Sequence, residues 1–432
     1  MNRPMVVIGR NVTSDLVRFC GQTHRRRLLV VADGNTWPIL GESAEASLRA
    51  GGVEVKSVVL TGREVVADAH AILQVLLACG GSCADFVAVG SGTITDITRF
   101  VSHRTGGSFI AMPTAPSVDG FTSSGSPLIV HGIKTTALAH PPAAIFAELA
   151  VVSSAPRSMI AAGFGDMLGK HTSVADWRLG RLLWDLPYDE AIARRCLAAV
   201  SRCEQAVSDI AAGSETGARL LLESLLESGL CMLDFGNSLP ASGAEHHYSH
   251  FWEMKLLREG KPALLHGAKV GVATISIATL YEQVRKLSRT RLAAALKESR
   301  LPPRAKEIQR IREAYGPMAD EVVKGQAGFI EMDEAGYERL KQRIMDHWAE
   351  IQGIAEQVPA PARMAEMLRR AGGPAAMRDL GLPDSDLDLA AENALYLRNH
   401  FTVCRLARIV FPGASLARAA ASSDFTRAPR QG

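Results

Sequence analysis

The feature that most constrains this chain is a change of rhythm near residue 156. Before it, short apolar runs recur: MVVIG from residue 5, RLLVVAD from 27, VEVKSVVL from 53, DFVAVG from 85 and SFIAMPT from 108. Uninterrupted apolar runs of this length belong to strands buried on both faces. The segments between them, such as AEASLRAGG and VVADAHAILQVLLACGG, carry helical periodicity. Alternating strand and helix dictates a parallel sheet with crossover helices. Beyond residue 156 the helical period persists and strand alternation stops. The expectation is an α/β domain over 1–156 and an all-helical domain over 157–413. Residues 414–432, SLARAAASSDFTRAPRQG with the preceding Ala, lack aliphatic bulk and are expected to fray. Helix boundaries are expected at Leu186–Pro187, at Gly213, over 235–243 and at Pro302–Pro303.

At 432 residues, two domains with sizeable interiors are the default. Forty-eight basic side chains against 45 acidic leave a net charge of only +3, so no broad field attracts nucleic acid or an anionic membrane. A dense Arg and Lys run over 285–312 also holds Glu298, Glu307 and Glu313, which reads as a solvated helix face. The seven cysteines form an odd set without zinc-ribbon spacing, as expected of reduced thiols in a cytoplasmic protein. No apolar stretch reaches the ~18 residues of a membrane span, and the N-terminal apolar run is too short for a secretory signal.

Three residues carry metal chemistry: Asp166 in GFGDMLGK, His246 in GAEHHYSH and His266 in LLHG. A carboxylate with two imidazoles holds a borderline divalent cation and leaves a coordination position open to a substrate oxygen. Asp166 and Lys170 are four apart, as are His246 and His250, so each helix offers one ligand and one helper from a single face. Asp33, Gly90 to Gly92 and Thr114 stand where strands end, the edge at which open sheets bind ligands. In VGSGTITDITRF, backbone N–H groups from Gly92 to Asp96 can face a pyrophosphate at a helix N-terminus. The bend MPTAPSVDGFTSSGSPL gathers Thr114, Ser117, Thr122, Ser123 and Ser124 around Asp119. Taken singly, each of these is as well explained by a capped turn or a solvated side chain. Their combination points to a catalytic metal beside a nucleotide.

In their order and spacing, GSGTITDITRF, MPTAPSVDGFTSSGSPLI, GFGDMLGKHTSVADWRL, SGAEHHYSHFWEM and LLHGAKVGV resemble the motifs of the sn-glycerol-1-phosphate dehydrogenases. That family sits within the group of iron-type alcohol dehydrogenases and dehydroquinate synthases. The resemblance runs through most of residues 1–285 and fades beyond about 290. It implies a Rossmann-like α/β domain with a parallel sheet followed by an all-α domain, the dehydroquinate synthase-like fold. It implies one divalent metal (Zn, Ni or Fe) on Asp166, His246 and His266. It also implies NAD(P) contacts from Asp33, the turn holding Gly90, Gly92, Thr93, Ile94, Thr95 and Asp96, the segment Thr114, Ala115, Pro116 and Ser117, and Ser123. Substrate contacts would come from Asp119, Asp166 and His250.

One departure is informative. Related iron-type alcohol dehydrogenases carry a fourth ligand, a His, four residues beyond the Asp, where this chain has Lys170. An ammonium cannot ligate a cation, but it suits a phosphorylated substrate, and Lys134 in HGIKTT is a second phosphate partner. The implied reaction interconverts dihydroxyacetone phosphate and sn-glycerol 1-phosphate, a step of phospholipid metabolism. The metal would serve as Lewis acid, His250 as proton carrier, and Asp119 and Lys170 as further catalytic groups. Asp33 would bond a ribose hydroxyl and repel a 2′-phosphate, favouring NAD over NADP. A homo-oligomer is implied as well. The rival readings are a dehydroquinate synthase-like cyclase of a sugar phosphate, a glycerol dehydrogenase and a non-catalytic metal- and nucleotide-binding homologue.

Overall fold

The computed structural model describes residues 3–62, 64–80, 85–130 and 133–413. The tail expected at 414–432 lies outside the described residues. The chain divides into two compact units: Met1–Met167 with Ala198–Asn237 and Arg370–Gly372, and Leu168–Leu197 with Ser238–Arg369 and Gly373–Gly432.

The first unit is built on strands β1 (Met5–Gly9), β2 (Arg27–Asp33), β3 (Glu54–Leu60), β4 (Asp85–Gly90), β5 (Ser108–Pro113), β6 (Gly125–Val130), β7 (Ile133–Leu138) and β8 (Ala144–Glu148). Six of them form one sheet in the order β1-β8-β5-β4-β2-β3, and every neighbouring pair is parallel. The five apolar runs read from the sequence all lie in this sheet. Two features escaped that reading. β8 is only AIFAE, directly behind Pro141 and Pro142 and running into an apolar helix, so no punctuation separates it. β6 and β7 pair as an antiparallel hairpin, and Pro127 within GSPLIV argues against a strand unless it lies at an edge.

Alternate residues of each strand enter opposite cores, because successive side chains point to opposite faces. Leu29, Val31, Phe86, Ala88, Phe109, Ala111, Ile145 and Ala147 face one side. There they pack on helices α3 and α4, and on the helix Glu215–Phe235 through Ala218, Leu222 and Leu226. Leu28, Val30, Ala32, Val87, Val89, Ile110, Met112 and Phe146 face the other, against α1 and α2. The four helices are α1 (Val12–Gln22), α2 (Glu42–Ala50), α3 (Ala69–Cys79) and α4 (Gly92–Arg104). A sheet covered on both faces buries its side chains and presents only its strand ends as functional surface.

The second unit is helical throughout its described residues. At its centre the helix His266–Lys286 buries residues on every side, among them Val270, Ile277, Leu280 and Val284, as a helix surrounded by others must. The helix Ala244–Arg258 packs against it. The breaks expected from glycine and proline are observed: Trp184 ends one helix before Pro187, Gly213 and Gly236 adopt positive φ as C-caps, and Pro302–Pro303 separate Arg289–Glu298 from Arg304–Tyr315.

Candidate nucleotide and metal site

In the first unit the expected cofactor residues lie along the carboxyl edge of the sheet. Asp33 is the last residue of β2 and Gly90 of β4, and Thr114 follows β5 directly. Asp33 is held in an Asx turn, its Oδ1 accepting from the N–H groups of Asn35 at 2.9 Å and Thr36 at 2.8 Å. Helix α4 starts at Gly92, and its cap residue Ser91 makes no side-chain capping bond. The first-turn N–H groups therefore rely on another acceptor, and a phosphate at a helix N-terminus is such an acceptor. Thr95 supplies a further observation: its hydroxyl is buried with no hydrogen-bond partner among the described residues. An orphaned hydroxyl in that first turn fits an anionic ligand. Ile94, by contrast, places its side chain in the core, so only its backbone can serve a nucleotide.

The hydroxyl-rich bend is held from behind by Arg99, which the sequence reading missed. Fully buried, Arg99 donates to the carbonyls of Gly120 at 2.6 Å, Phe121 at 3.0 Å and Gly125 at 2.9 Å, and to Asp96 Oδ1 at 2.7 Å. One guanidinium thus fastens the 120–125 loop to α4. Burial pushes the Asp96 carboxyl up to about 6 against the opposing charges of Arg99 and Lys134. Lys134, on β7, therefore acts in the neighbourhood of Asp96. Ser117 is buried, and Ser123 Oγ closes a local turn onto the carbonyls of Gly120 and Gly125, each at 3.2 Å. The legible signal for Arg99 was an arginine three residues after Asp96, on the helix face that also buries Thr95 and Ser102.

The same bend reaches the metal-ligand candidate Asp166. Asp166 Oδ2 accepts the backbone N–H of Asp119 at 3.0 Å, and Asp119 Oδ2 accepts the Ser228 hydroxyl at 2.9 Å, all of it buried. Asp166 comes from the helix Arg157–Leu168, in which Gly163 is a steric necessity. A Cβ there would lie 1.8 Å from the carbonyl oxygen of Pro116. The glycine of GFGD is what lets this helix press against the bend.

In the second unit, His246 sits in the first turn of the helix Ala244–Arg258, and His266 is the first residue of the helix His266–Lys286. Their ring centroids are 5.2 Å apart, and His250 lies 5.4 Å from His266. Glu245, fully buried, accepts from His246 Nδ1 at 2.8 Å, from the Thr172 hydroxyl at 2.7 Å and from the Gly243 N–H at 2.7 Å. Burial raises the pKa of this carboxyl, but these donors outweigh it and leave it below the ordinary value. Gly243 is again required by space, since a Cβ would stand 2.8 Å from Asp176 Oδ2 and 2.9 Å from Glu245 Oε2. Lys170, the first residue of the helix Lys170–Trp184, is buried and donates to the Ala241 carbonyl at 3.1 Å. His250 Nδ1 lies 3.3 Å from Glu253 Oε2, whose other oxygen is 3.4 Å from the Lys269 ammonium.

Within the second unit, His250, Glu253 and His266 each offer one ligand atom, and those atoms lie within 4.8 Å of one another. One carboxylate with two imidazoles is a donor set that zinc, nickel and iron all accept, so the residues fit a divalent metal.

Comparisons with known proteins agree. Residues 7–156 match the family described as iron-containing alcohol dehydrogenase. A glycerol-1-phosphate dehydrogenase [NAD(P)+] of Geobacillus stearothermophilus is 38% identical over 402 residues, 92% of this chain and 90% of that protein. A Bacillus subtilis protein of the same name is 36% identical over 404 residues, 93% of this chain and 90% of its own length. A probable glycerol dehydrogenase from Sinorhizobium meliloti has the same fold, with a TM-score of 0.63 at 17% identity, covering 97% of this chain and 98% of that one. This chain belongs to the glycerol-1-phosphate dehydrogenases within the iron-containing alcohol dehydrogenase group.

Proposed function

We propose that this protein is an NAD(P)-dependent oxidoreductase that interconverts dihydroxyacetone phosphate and sn-glycerol 1-phosphate. The observation that carries this reading is the 38% identity across 92% of the chain to a relative named for that activity. Asp166, His246 and His266 are the proposed ligands of one divalent metal, zinc, nickel or iron, a carboxylate and two imidazoles that suit each of these ions. In this reading residues 1–156 bind the nicotinamide nucleotide and 157–413 carry the metal ligands. When bound, the metal supplies Lewis acidity at the reacting carbonyl and the nucleotide supplies reducing equivalents.

The chain's own groups do the rest. The bend 114–117, with Ser123, and the turn Gly92 to Asp96 orient the nucleotide. Asp33 favours NAD, since a carboxylate there repels a 2′-phosphate. Lys170 and Lys134 supply positive charge for the substrate phosphate. Asp119, positioned by Ser228, meets the substrate beside Asp166. His250 Nε2 is the proposed site that takes or gives the hydroxyl proton, with Nδ1 turned toward Glu253. The protein is proposed to act as a cytoplasmic homodimer. Among the described residues no helix is long and apolar enough to cross a membrane.

A spectrophotometric assay of dihydroxyacetone phosphate with NADH and NADPH tests the reading. Stoichiometric loss of nicotinamide absorbance is expected, with sn-glycerol 1-phosphate found by chiral analysis and metal content measured on the same preparation. A cyclase would recycle its nucleotide without net change, and a glycerol dehydrogenase would prefer the unphosphorylated triol. Either result would overturn the assignment.

A further inference from the structure

The second unit contains a cavity of about 280 Å³ that neither the fold nor the reaction above uses. It lies where the basic run of 285–312 meets the last described helix, Val403–Val410. Four arginines line it, Arg300, Arg310, Arg405 and Arg408, against two carboxylates, Glu307 and Glu392. The ion pairs leave a positive surplus. Arg408 donates to both oxygens of Glu307, at 3.1 and 3.0 Å, and Tyr396 donates to the same carboxylate at 2.6 Å, so that pair is mutually satisfied. Glu392 lies 3.6 Å from Arg310 at the more exposed rim.

Arg405 is the exception. It is only 8% exposed, and among the described residues its Nε has no hydrogen-bond partner. Its Nη2 is occupied by Gln326 Oε1 and by the Leu395 carbonyl at 3.2 Å. Its guanidinium carbon stands 3.3 Å from the centroid of the Phe329 ring, which is itself stacked on Trp184 at 4.0 Å. Burial lowers the Arg405 pKa, and the neighbouring Tyr396 and Glu307 offset this only in part. Tyr337, Phe401 and Phe411 supply further aromatic wall. A surplus cation with an unsatisfied N–H, set in an aromatic enclosure, is complementary to a flat ring that carries one anionic group.

We infer that this cavity is a binding site for a small aromatic anion, an aryl carboxylate or aryl phosphate, separate from the reacting centre. The inference does not depend on the reaction proposed above.

Calorimetric titration of the full chain with benzoate and with phenyl phosphate tests it. Saturable binding is expected for at least one, with a Kd on the order of 0.1 mM, and at least tenfold weaker binding of inorganic phosphate, which lacks the ring. Arg405→Met should weaken the aryl anion at least tenfold. Met332→Trp, which fills the cavity and leaves every charge in place, should abolish binding, and it decides the matter alone should Arg405→Met melt at a lower temperature. Lys170→Ala should leave the binding unchanged. No saturation by either probe at about 10 mM, binding indifferent to Met332→Trp, or binding lost in Lys170→Ala would each overturn the site.

Discussion

Glu245 Oε1 lies 2.8 Å from Nδ1 of His246, one residue along the same helical turn. A buried carboxylate there fixes the imidazole tautomer, with Nδ1 carrying the hydrogen and Nε2 left to ligate. Glu245 is itself fixed by Thr172 and the Gly243 N–H, so the carboxylate that holds the ring cannot move without breaking three bonds. Glu245→Gln keeps the shape and loses the charge. Metal affinity is expected to fall ~10- to 100-fold, measured by competition with a chromophoric chelator. Unchanged affinity would remove Glu245 from the site.

Gly163→Ala opposes two effects. Alanine gains about 1 kcal/mol of helix propensity over glycine. The same methyl would overlap the Pro116 carbonyl, and forced repacking of this kind costs about 1–3 kcal/mol. Sterics should win. The expected result is a lower melting temperature and, because the displaced segment is the nucleotide bend, a KM for NADH raised about tenfold. A stabilised variant with wild-type KM would refute the close approach.

Arg99→Met keeps the aliphatic stem and removes the donors from three loop carbonyls and from Asp96. Deleting one member of a buried charged network costs about 3–5 kcal/mol. Thermal denaturation should show the loss, and NADH titration followed by fluorescence should show weaker binding. Lysine at this position should rescue little, since one ammonium cannot reach all three carbonyls.

Asp176 links pH to stability. Burial, with the charge of Glu245 beside it, pushes its carboxyl up to about 7 from an ordinary 3.8. The folded state therefore holds this proton more tightly than the unfolded chain does. The stabilisation is complete below about pH 4 and is lost as pH rises toward 7. Wild type should lose on the order of 1–4 kcal/mol of stability between pH 5 and 8 relative to Asp176→Asn, read by urea unfolding at both values. Parallel curves would exclude Asp176 as the source.

The strands β1 to β5 could be read from the chain because apolar runs bounded by turns are a pattern of residue type in sequence, and Asp or His beside glycine marked the candidate ligands in the same way. β8 could not, since a five-residue strand behind two prolines has no alternation to count. Arg99, Glu245 and Asp176 were hidden for a different reason. Each acts on partners distant in the chain: Arg99 on carbonyls 21 to 26 residues away, Glu245 on Thr172, Asp176 on Ala244, Tyr281 and Val403. Only the fold brings those partners within reach. The glycines at 163 and 243 were legible as small residues, while the atoms that forbid a side chain there were not.

The pairing of β1 with β8 in register from Met5↔Ala144 to Gly9↔Glu148 bears on how the chain is made. Strand β1 has no neighbour in this sheet until β8 follows, whereas β2, β3 and β4 can zip together as they emerge. Met5–Gly9 must wait as an unpaired apolar strand throughout that interval, an open template for aggregation. During synthesis, β1 is therefore the strand of this sheet that a chaperone has most to protect.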